Sequence, residues 1–402
     1  MQGVTQHKPG CAFLVPWSPD RGGGVTHVVV ALLNECAAEG AYRPIVLEVN
    51  WAFRRPENDQ WRGIPRVRLR LGSPCSSRRL RAPLSFLILF PAELRRLRRL
   101  ISAHGLGAIN MHFAGLESFS FVALRRLGLF RGKYVLTFHG SDVRQVLRTR
   151  GAQRALWRLM LHGVDLLVFV SEDLKEEFLA FDPSLASRCV VIHNGIDIQA
   201  FTRNCQEDLP LPEFFAGSHD TLISVGQFEY RKGHDLLIQA FELVLRERSH
   251  ARLAIVGRSG PTLEGTRKLI AERGLETHIA LFTDLPHSHV PVLLNRADVF
   301  VLSSRWRKGE FGEGFPLVLA EAGALARPVV STQSTGCGEI ISDRVTGRLV
   351  PLEDPPALAD AILDLLNDRV SAQRMGLNLQ RIVREQFSWQ QAWAKYRQLL
   401  DA

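Results

Sequence analysis

Apolar and polar positions follow a repeating order along the chain. Short continuous apolar runs read as strands: CAFLVPW (11–17), YRPIVLEV (42–49), LGAINMHF (106–113), KYVLTFHG (133–140), DLLVFVS (165–171) and CVVIHNG (189–195). Between them, VTHVVVALLNECAAEG (25–40), PAELRRLRRLISAHG (91–105) and RGAQRALWRLMLHG (150–163) show the three- and four-residue spacing of helices. Continuously apolar strands alternating with helices predict a parallel sheet covered on both faces.

Residues 202–218 are polar and rich in Pro, Asp and Glu, and read as a linker. The strand–helix alternation then restarts. TLISVGQF (221–228), ARLAIVG (251–257), IALFTDL (279–285), ADVFVLSS (297–304), RPVVST (327–332) and GRLVPL (347–352) are the next strands, with helices over 234–248 and after Pro316. The expected fold is α/β, with two Rossmann-like doubly wound parallel-sheet domains facing across a cleft. Their expected extents are 1–205 and 206–385, with a last helix over 386–402. In such sheets ligands bind beyond the carboxyl ends of the strands, so the cleft is the expected site.

Composition sharpens this picture. A chain of 402 residues is too long for one typical core and suits two domains. Six scattered cysteines without a CxxC pair imply reduced thiols, not a disulfide or zinc framework. There is no basic-then-apolar leader pattern, and no apolar run approaches the roughly 18 residues of a spanning helix. A cytoplasmic protein is therefore expected. The net charge is +9, and the excess is concentrated in residues 51–100, where thirteen arginines face only Glu57, Asp59 and Glu93. A one-sided basic surface suits an anionic partner, whether nucleic acid, a phosphorylated substrate or anionic headgroups, and the alternative is a solvated basic face with no partner.

Candidate chemistry gathers in the loops after the strands. EGFPLVLAE (313–321) places two glutamates around an apolar helix start. Pro316 suits the first helical position, so Glu313 and Gly314 fall in the preceding loop and Glu321 in the second turn. Amides near Phe315 and Leu317 then form an anion site. The competing reading is a capping Glu313 and an Arg-paired Glu321. SVGQFEYRKGHD (224–235) places Arg231 and Lys232 at a loop-to-helix junction, where lysine neutralises phosphate as a point charge. RGGGVTH (21–27) lets the backbone approach a ligand at Gly22, Gly23 and Gly24. LTFHGSDV (136–143) sets His139, Ser141 and Asp142 at a strand's carboxyl end. A plain turn and a structural histidine are the alternatives. GxGxxG, the P-loop, HExxH, GxSxG and Cys/His metal spacings are absent from the sequence.

In order, GGGVTHVV, TFHGSDV, VIHNGID, VGQFEYRKGHDLLIQAF, EGFPLVLAEAGA with its E-x7-E spacing, RPVVST, GCGEII and TGRLV span nearly the whole chain. This order resembles the nucleotide-sugar-dependent glycosyltransferases of family 4, which share the GT-B fold. The resemblance implies metal-free, retaining transfer of a hexosyl group from a sugar nucleotide, with no cofactor. It implies that Glu321 holds the ribose hydroxyls and that Glu313 contacts the donor sugar. Lys232 and the amides of Phe315 and Leu317 hold the diphosphate, His139 lies against the sugar, and Gly23 and Gly24 border donor and acceptor. A uridine donor is slightly preferred over guanosine, on family frequency. Gln227 departs from the pattern, because many relatives carry arginine there. Either Arg231 or another cation such as Arg305 is then expected to compensate, or phosphate binding rests more on Lys232. Glu339 of GCGEII is less secure, because that motif also departs from the commoner form.

The expected acceptor is a lipid-linked or polysaccharide glycan of cell-envelope or exopolysaccharide synthesis, and no nucleic acid is implicated. PLSFLILFPAELRRLRRL (83–100) joins an apolar segment to arginines at helical spacing. It suggests peripheral contact of the Arg-rich 54–99 region with an anionic membrane, the alternative being an ordinary amphipathic helix packed on the sheet with its arginines in water. The alternatives are a nucleotide-sugar epimerase of the same architecture and a non-catalytic sugar-binding subunit. A dinucleotide oxidoreductase is disfavoured by the missing GxGxxG.

Overall fold

The structure, a computed structural model, describes residues 8–21, 23–50, 52–53, 55–75, 82–113, 115–206, 213–286 and 288–402. The chain divides into two compact units, 1–193 with 389–402, and 194–388.

The first unit is built on an eight-stranded sheet: β1 (Gly10–Val15), β2 (Arg43–Val49), β3 (Glu57–Trp61), β4 (Ile64–Leu69), β5 (Leu106–His112), β6 (Lys133–Phe138), β7 (Leu166–Phe169) and β8 (Cys189–Val191). Their order is β3-β4-β2-β1-β5-β6-β7-β8, and only the β3–β4 pairing is antiparallel. Every residue of β1 is buried, as its unbroken apolar run implies. The β3–β4 hairpin was not among the predicted strands. Its first strand, ENDQW, is polar and mostly exposed, as an edge strand tolerates. Arg62 and Gly63 turn the chain with φ of 48° and 79°, the left-handed pair that two-residue hairpin loops favour.

The last helix, Trp389–Asp401, packs on the helix Gly24–Glu39 of this unit. Its Trp393 indole donates to Glu39 at 2.9 Å, and its Tyr396 hydroxyl lies 3.2 Å from Thr137 Oγ1 on β6. The C-terminal sequence thus helps to cover the sheet face that carries Phe13, Asn110 and Thr137.

The second unit has a six-stranded, wholly parallel sheet: β9 (Thr221–Val225), β10 (Arg252–Gly257), β11 (Ile279–Thr283), β12 (Val299–Leu302), β13 (Val329–Thr332) and β14 (Arg348–Val350). Its order is β11-β10-β9-β12-β13-β14, so the strand order reverses beside β9 and β12. Ligands of doubly wound sheets gather at such a reversal. Leu237, Phe241 and Val244 of the helix His234–Glu247 pack with Ile362 and Leu366 of the helix Pro355–Asn367 into one buried core. No described helix is long and apolar enough to cross a membrane.

Candidate active site

The loops after β9 and β12 build one charged cluster. Beyond β9, the chain turns through Tyr230–Lys232 and reaches Gly233 in the left-handed region, with φ 62°. A Cβ at Gly233 would lie 2.1 Å from the Ser303 carbonyl oxygen, so this junction requires glycine. Ser303 Oγ donates to the Lys232 and Gly233 carbonyls at 3.0 Å each, which fixes the backbone that carries the lysine.

Lys232 Nζ donates to Glu313 Oε1 at 2.6 Å. Arg231 Nη1 donates to Glu313 Oε2 at 3.1 Å, and Arg231 Nε donates to Glu229 at 2.7 Å. Ser304 Oγ donates to Glu313 Oε1 at 2.6 Å. Glu313 is 5% exposed, and burial alone would raise its pKa. The neighbouring Lys232 and Arg231 charges outweigh burial and hold it at about 2, so it is ionised at neutral pH. The pairing also keeps Arg231 more firmly protonated.

Two expectations need correction here. Arg305 is not available to compensate for Gln227. It is buried, bonds both Asp235 oxygens at 2.7 and 2.6 Å and Glu353 at 2.9 Å, and lies 4.4 Å from the Tyr230 ring centroid. Two carboxylates pair it, as two pair Arg231, but its side chain is 5% exposed against 34% for Arg231, so of the two only Arg231 is open to a ligand. Second, the helix begins at Leu317, one residue later than Pro316. Pro316 has φ −78° and ψ 83°, near an inverse γ-turn, and the Leu317 amide donates across it to the Phe315 carbonyl at 2.9 Å. In this conformation the Leu317 amide closes the turn, so it does not face an anion.

The other sequence-predicted residues of this unit, and Gly226 beside Gln227, fall in the loops after β9 and β12 and in the helix Leu317–Ala324. Gly226 sits under the lysine stem, and a Cβ there would be 3.1 Å from Lys232 Cδ. Gln227 turns to the β10 side, where it accepts from Arg258 at 3.0 Å. Gly314 packs on Gly336, whose Cβ would meet the Gly314 carbonyl oxygen at 2.7 Å. Phe315 is buried edge-on against Phe387 at 5.4 Å. Glu321 is half-buried in the second turn of the helix Leu317–Ala324.

The first unit carries His139, Gly23 and Gly24. Asp142 accepts from the amides of His139, Gly140 and Val143 at 2.8–3.0 Å and fixes the loop after β6. Burial pushes the Asp142 pKa up to about 6, against those amides. His139 is pushed down to about 3 by burial, so its ring is neutral at pH 7. Gly23 opens the helix Gly24–Glu39 with φ 119°, which only glycine adopts readily. A Cβ at Gly24 would meet nothing within 4 Å, so packing does not demand glycine there. Gly22 lies outside the described residues.

Residues 22–200 match the family model described as Glycosyltransferase Family 4, and residues 210–381 match the one described as Glycosyl transferases group 1. The chain is a glycosyltransferase. This glycosyltransferase is 27% identical over 380 residues to the GDP-mannose-dependent alpha-(1-6)-phosphatidylinositol monomannoside mannosyltransferase of Mycobacterium tuberculosis, covering 94% of each chain. It is 32% identical over 238 residues to the putative colanic acid biosynthesis glycosyltransferase WcaL of Salmonella typhimurium, covering 59% of this chain and 56% of that one. Its fold is GT-B. The Anabaena protein HepE, solved with UDP and glucose, superposes with a TM-score of 0.70 at 18% identity, over 98% of this chain and 99% of that one. The cluster of Arg231, Lys232 and Glu313 lies in the half that matches the group 1 transferases.

Sequence reasoning missed Ser303 and Ser304 as parts of the charged cluster. The signal was present: two serines directly after the fully apolar strand VFVL, at its carboxyl end. In the first unit, His112 was not singled out as the neighbour of His139, although it ends a strand beside the one that leads to His139.

Proposed function

We propose that the protein is a retaining, metal-independent hexosyltransferase that uses a nucleoside diphosphate sugar. The observation that carries this is the Lys232–Arg231 pair, locked to Glu313, which also accepts from Ser304, in the loop before the helix Leu317–Ala324. The donor C1–O bond breaks and negative charge develops on the leaving diphosphate. A fixed ammonium stabilises that charge where it appears. The acceptor oxygen bonds C1 on the same face, and its proton passes to the leaving phosphate, so no protein base is needed. Glu321 holds the ribose hydroxyls, and Gly314 lets the backbone approach the donor. His139, Gly23 and Gly24 serve the sugar and acceptor. The diphosphate competes with Glu313 for the two cations, and Arg231 takes the part that Gln227 lacks.

The donor base follows from a binding screen. The uridine expectation stands beside a guanosine one, because the mycobacterial relative is named for GDP-mannose. One nucleoside diphosphate is expected to raise the melting temperature, and its sugar conjugate to give a product with the donor's anomeric configuration by proton NMR, unchanged by EDTA. An inverted product, or activity lost with EDTA and restored by Mg²⁺, contradicts the mechanism. Release of free epimerised sugar without an acceptor points to the epimerase instead.

The acceptor reading is a lipid-linked glycan at an anionic membrane. In the helix Ala82–His104, Leu84, Leu87 and Ile88 are 63%, 65% and 69% exposed. At helical spacing the same face continues as Pro91, Arg95, Arg98 and Arg99, all exposed. An apolar tip followed by cations suits the headgroup boundary. Arg54, Arg78, Arg79 and Arg81 of the same basic region lie outside the described residues. Leu87→Asp with Ile88→Asp is expected to weaken cosedimentation with phosphatidylglycerol vesicles at least tenfold, on the order of one buried aliphatic side chain or more. Equal sedimentation of both proteins would remove this contact.

A further inference from the structure

His112 ends β5, and its neighbour in register on β6 is Thr137, two residues before His139. The His112 and His139 rings are stacked, with centroids 5.3 Å apart and planes 26° apart. His112 Nδ1 lies 3.0 Å from His139 Nε2, so one nitrogen donates to the other. Phe13 of β1 stacks on His112 with centroids 6.2 Å apart and planes at 14°. The chain then takes φ 57° at Phe113, a conformation rare for an aromatic residue, with Phe113 held edge-on to Trp17. Strain stored directly after His112 implies that its place is over-determined by packing.

The other nitrogen of His112 decides the direction of the bond. His112 is fully buried, and its Nε2 has no hydrogen-bond partner among the described residues. If His139 Nε2–H donated, His112 would carry its own proton on Nε2, leaving a buried N–H without an acceptor. If His112 Nδ1–H donates, Nε2 is only an unused lone pair. Buried orphan N–H groups are the rarer and costlier of the two.

We propose that His112 is a positioning residue that fixes His139 as its Nδ1–H tautomer. His112 Nδ1–H occupies the one lone pair of the neutral His139 ring. What His139 has left to offer a ligand is an N–H. It then acts as a hydrogen-bond donor to a sugar hydroxyl or phosphate oxygen, and it is not a general base. The effect on turnover rests on the reading of His139 as a donor-sugar contact; the tautomer does not.

Two measurements separate these claims. With ¹⁵N-histidine protein at neutral pH, long-range proton–nitrogen correlations are expected to show His139 protonated at Nδ1 and bare at Nε2. A proton on His139 Nε2 overturns the assignment. In kinetics, His112→Phe keeps a ring between Phe13 and His139 but removes the donor. Its kcat/KM for the sugar nucleotide is expected to fall about tenfold, the lower end of the loss when a partner that orients a functional histidine is removed. His112→Asn places an amide N–H where Nδ1 was, and is expected to stay within about threefold of wild type. If His112→Phe matches wild type while His139→Ala is crippled, the positioning role is overturned. If both variants are unaffected, the reading of His139 as a sugar contact falls, and the positioning role with it. The wild-type spectrum decides the tautomer even if a His112 variant does not fold.

Discussion

Lys232→Ala should lower kcat by about 10²–10³, the loss seen when one preorganised electrostatic donor is removed from a developing anion. The expectation rests on how much of the local structure fixes this one ammonium. Ser303 holds its carbonyl, Gly233 makes the turn after it, and its stem passes over Gly226. Its side chain is 11% exposed, so water screens it poorly, whereas that of Arg231 is 34% exposed. Arg231→Ala should therefore cost less, about tenfold. Lys232→Arg should recover only part of the activity, because a planar fork on that stem cannot place a point charge at the same spot. The melting temperature of Lys232→Ala should change little, since Glu313 keeps Arg231 and Ser304. Steady-state kinetics with the cognate sugar nucleotide tests this. A Lys232→Ala enzyme within threefold of wild type would place the diphosphate elsewhere.

The strands of both sheets were legible because parallel strands buried on both faces need unbroken apolar runs. β10 and β12 are examples, with almost no polar position. Where that demand lapses, the pattern lapses too. The edge hairpin β3–β4 carries ENDQW and is held partly by charge, with Asp59 accepting from Arg66 at 2.7 Å. Nothing in the period of ENDQW announces a strand, whereas VRLRL (67–71), in and just after β4, alternates apolar and polar strictly and was a signal left unread. The helix Ala82–His104 runs through Pro91, which the sequence placed at the start of a helix. Leu87 and Pro91 are exposed, so the carbonyl that Pro91 cannot bond faces water instead of a dry core.

The site divides in the same way. Lys232, Arg231 and Glu313 were legible as polar residues at the carboxyl ends of apolar strands, beside glycines. Their mutual pairing was not, because residues 81 and 82 apart in sequence meet only through the sheet order. The same applies to Arg305, whose partners are 70 and 48 residues away. Local spacing names the charges near a site, and long-range packing decides which of them remain available to a ligand.

Glu313→Gln tests that division most directly, because it removes the charge on which the cluster closes and keeps its shape. The amide nitrogen would face the ammonium or the guanidinium, donor against donor. Removing one partner of a buried pair costs about 3–5 kcal/mol, because the remaining charge stays unpaired. The lower end applies here, since Arg231 keeps Glu229. A loss of roughly 3 kcal/mol corresponds to a melting temperature about 6–12 °C lower for a domain of this size. The pH dependence has a definite sign. The folded pKa of about 2 lies below the ordinary 4.5, so the ionised Glu313 stabilises the fold fully above pH 4.5. That contribution fades as pH falls toward 2. The gap between wild type and Glu313→Gln should thus be full at pH 7 and shrink steadily below pH 4.5, as scanning calorimetry can follow. An equal gap at pH 7 and pH 3 would mean that the glutamate matters for its shape and not for its charge. The same variant should bind the free nucleoside diphosphate more tightly, because no carboxylate then competes for Lys232. It should also turn over more slowly, because Lys232 is no longer held in place. Weaker nucleotide binding by Glu313→Gln would show instead that the carboxylate acts on the sugar directly.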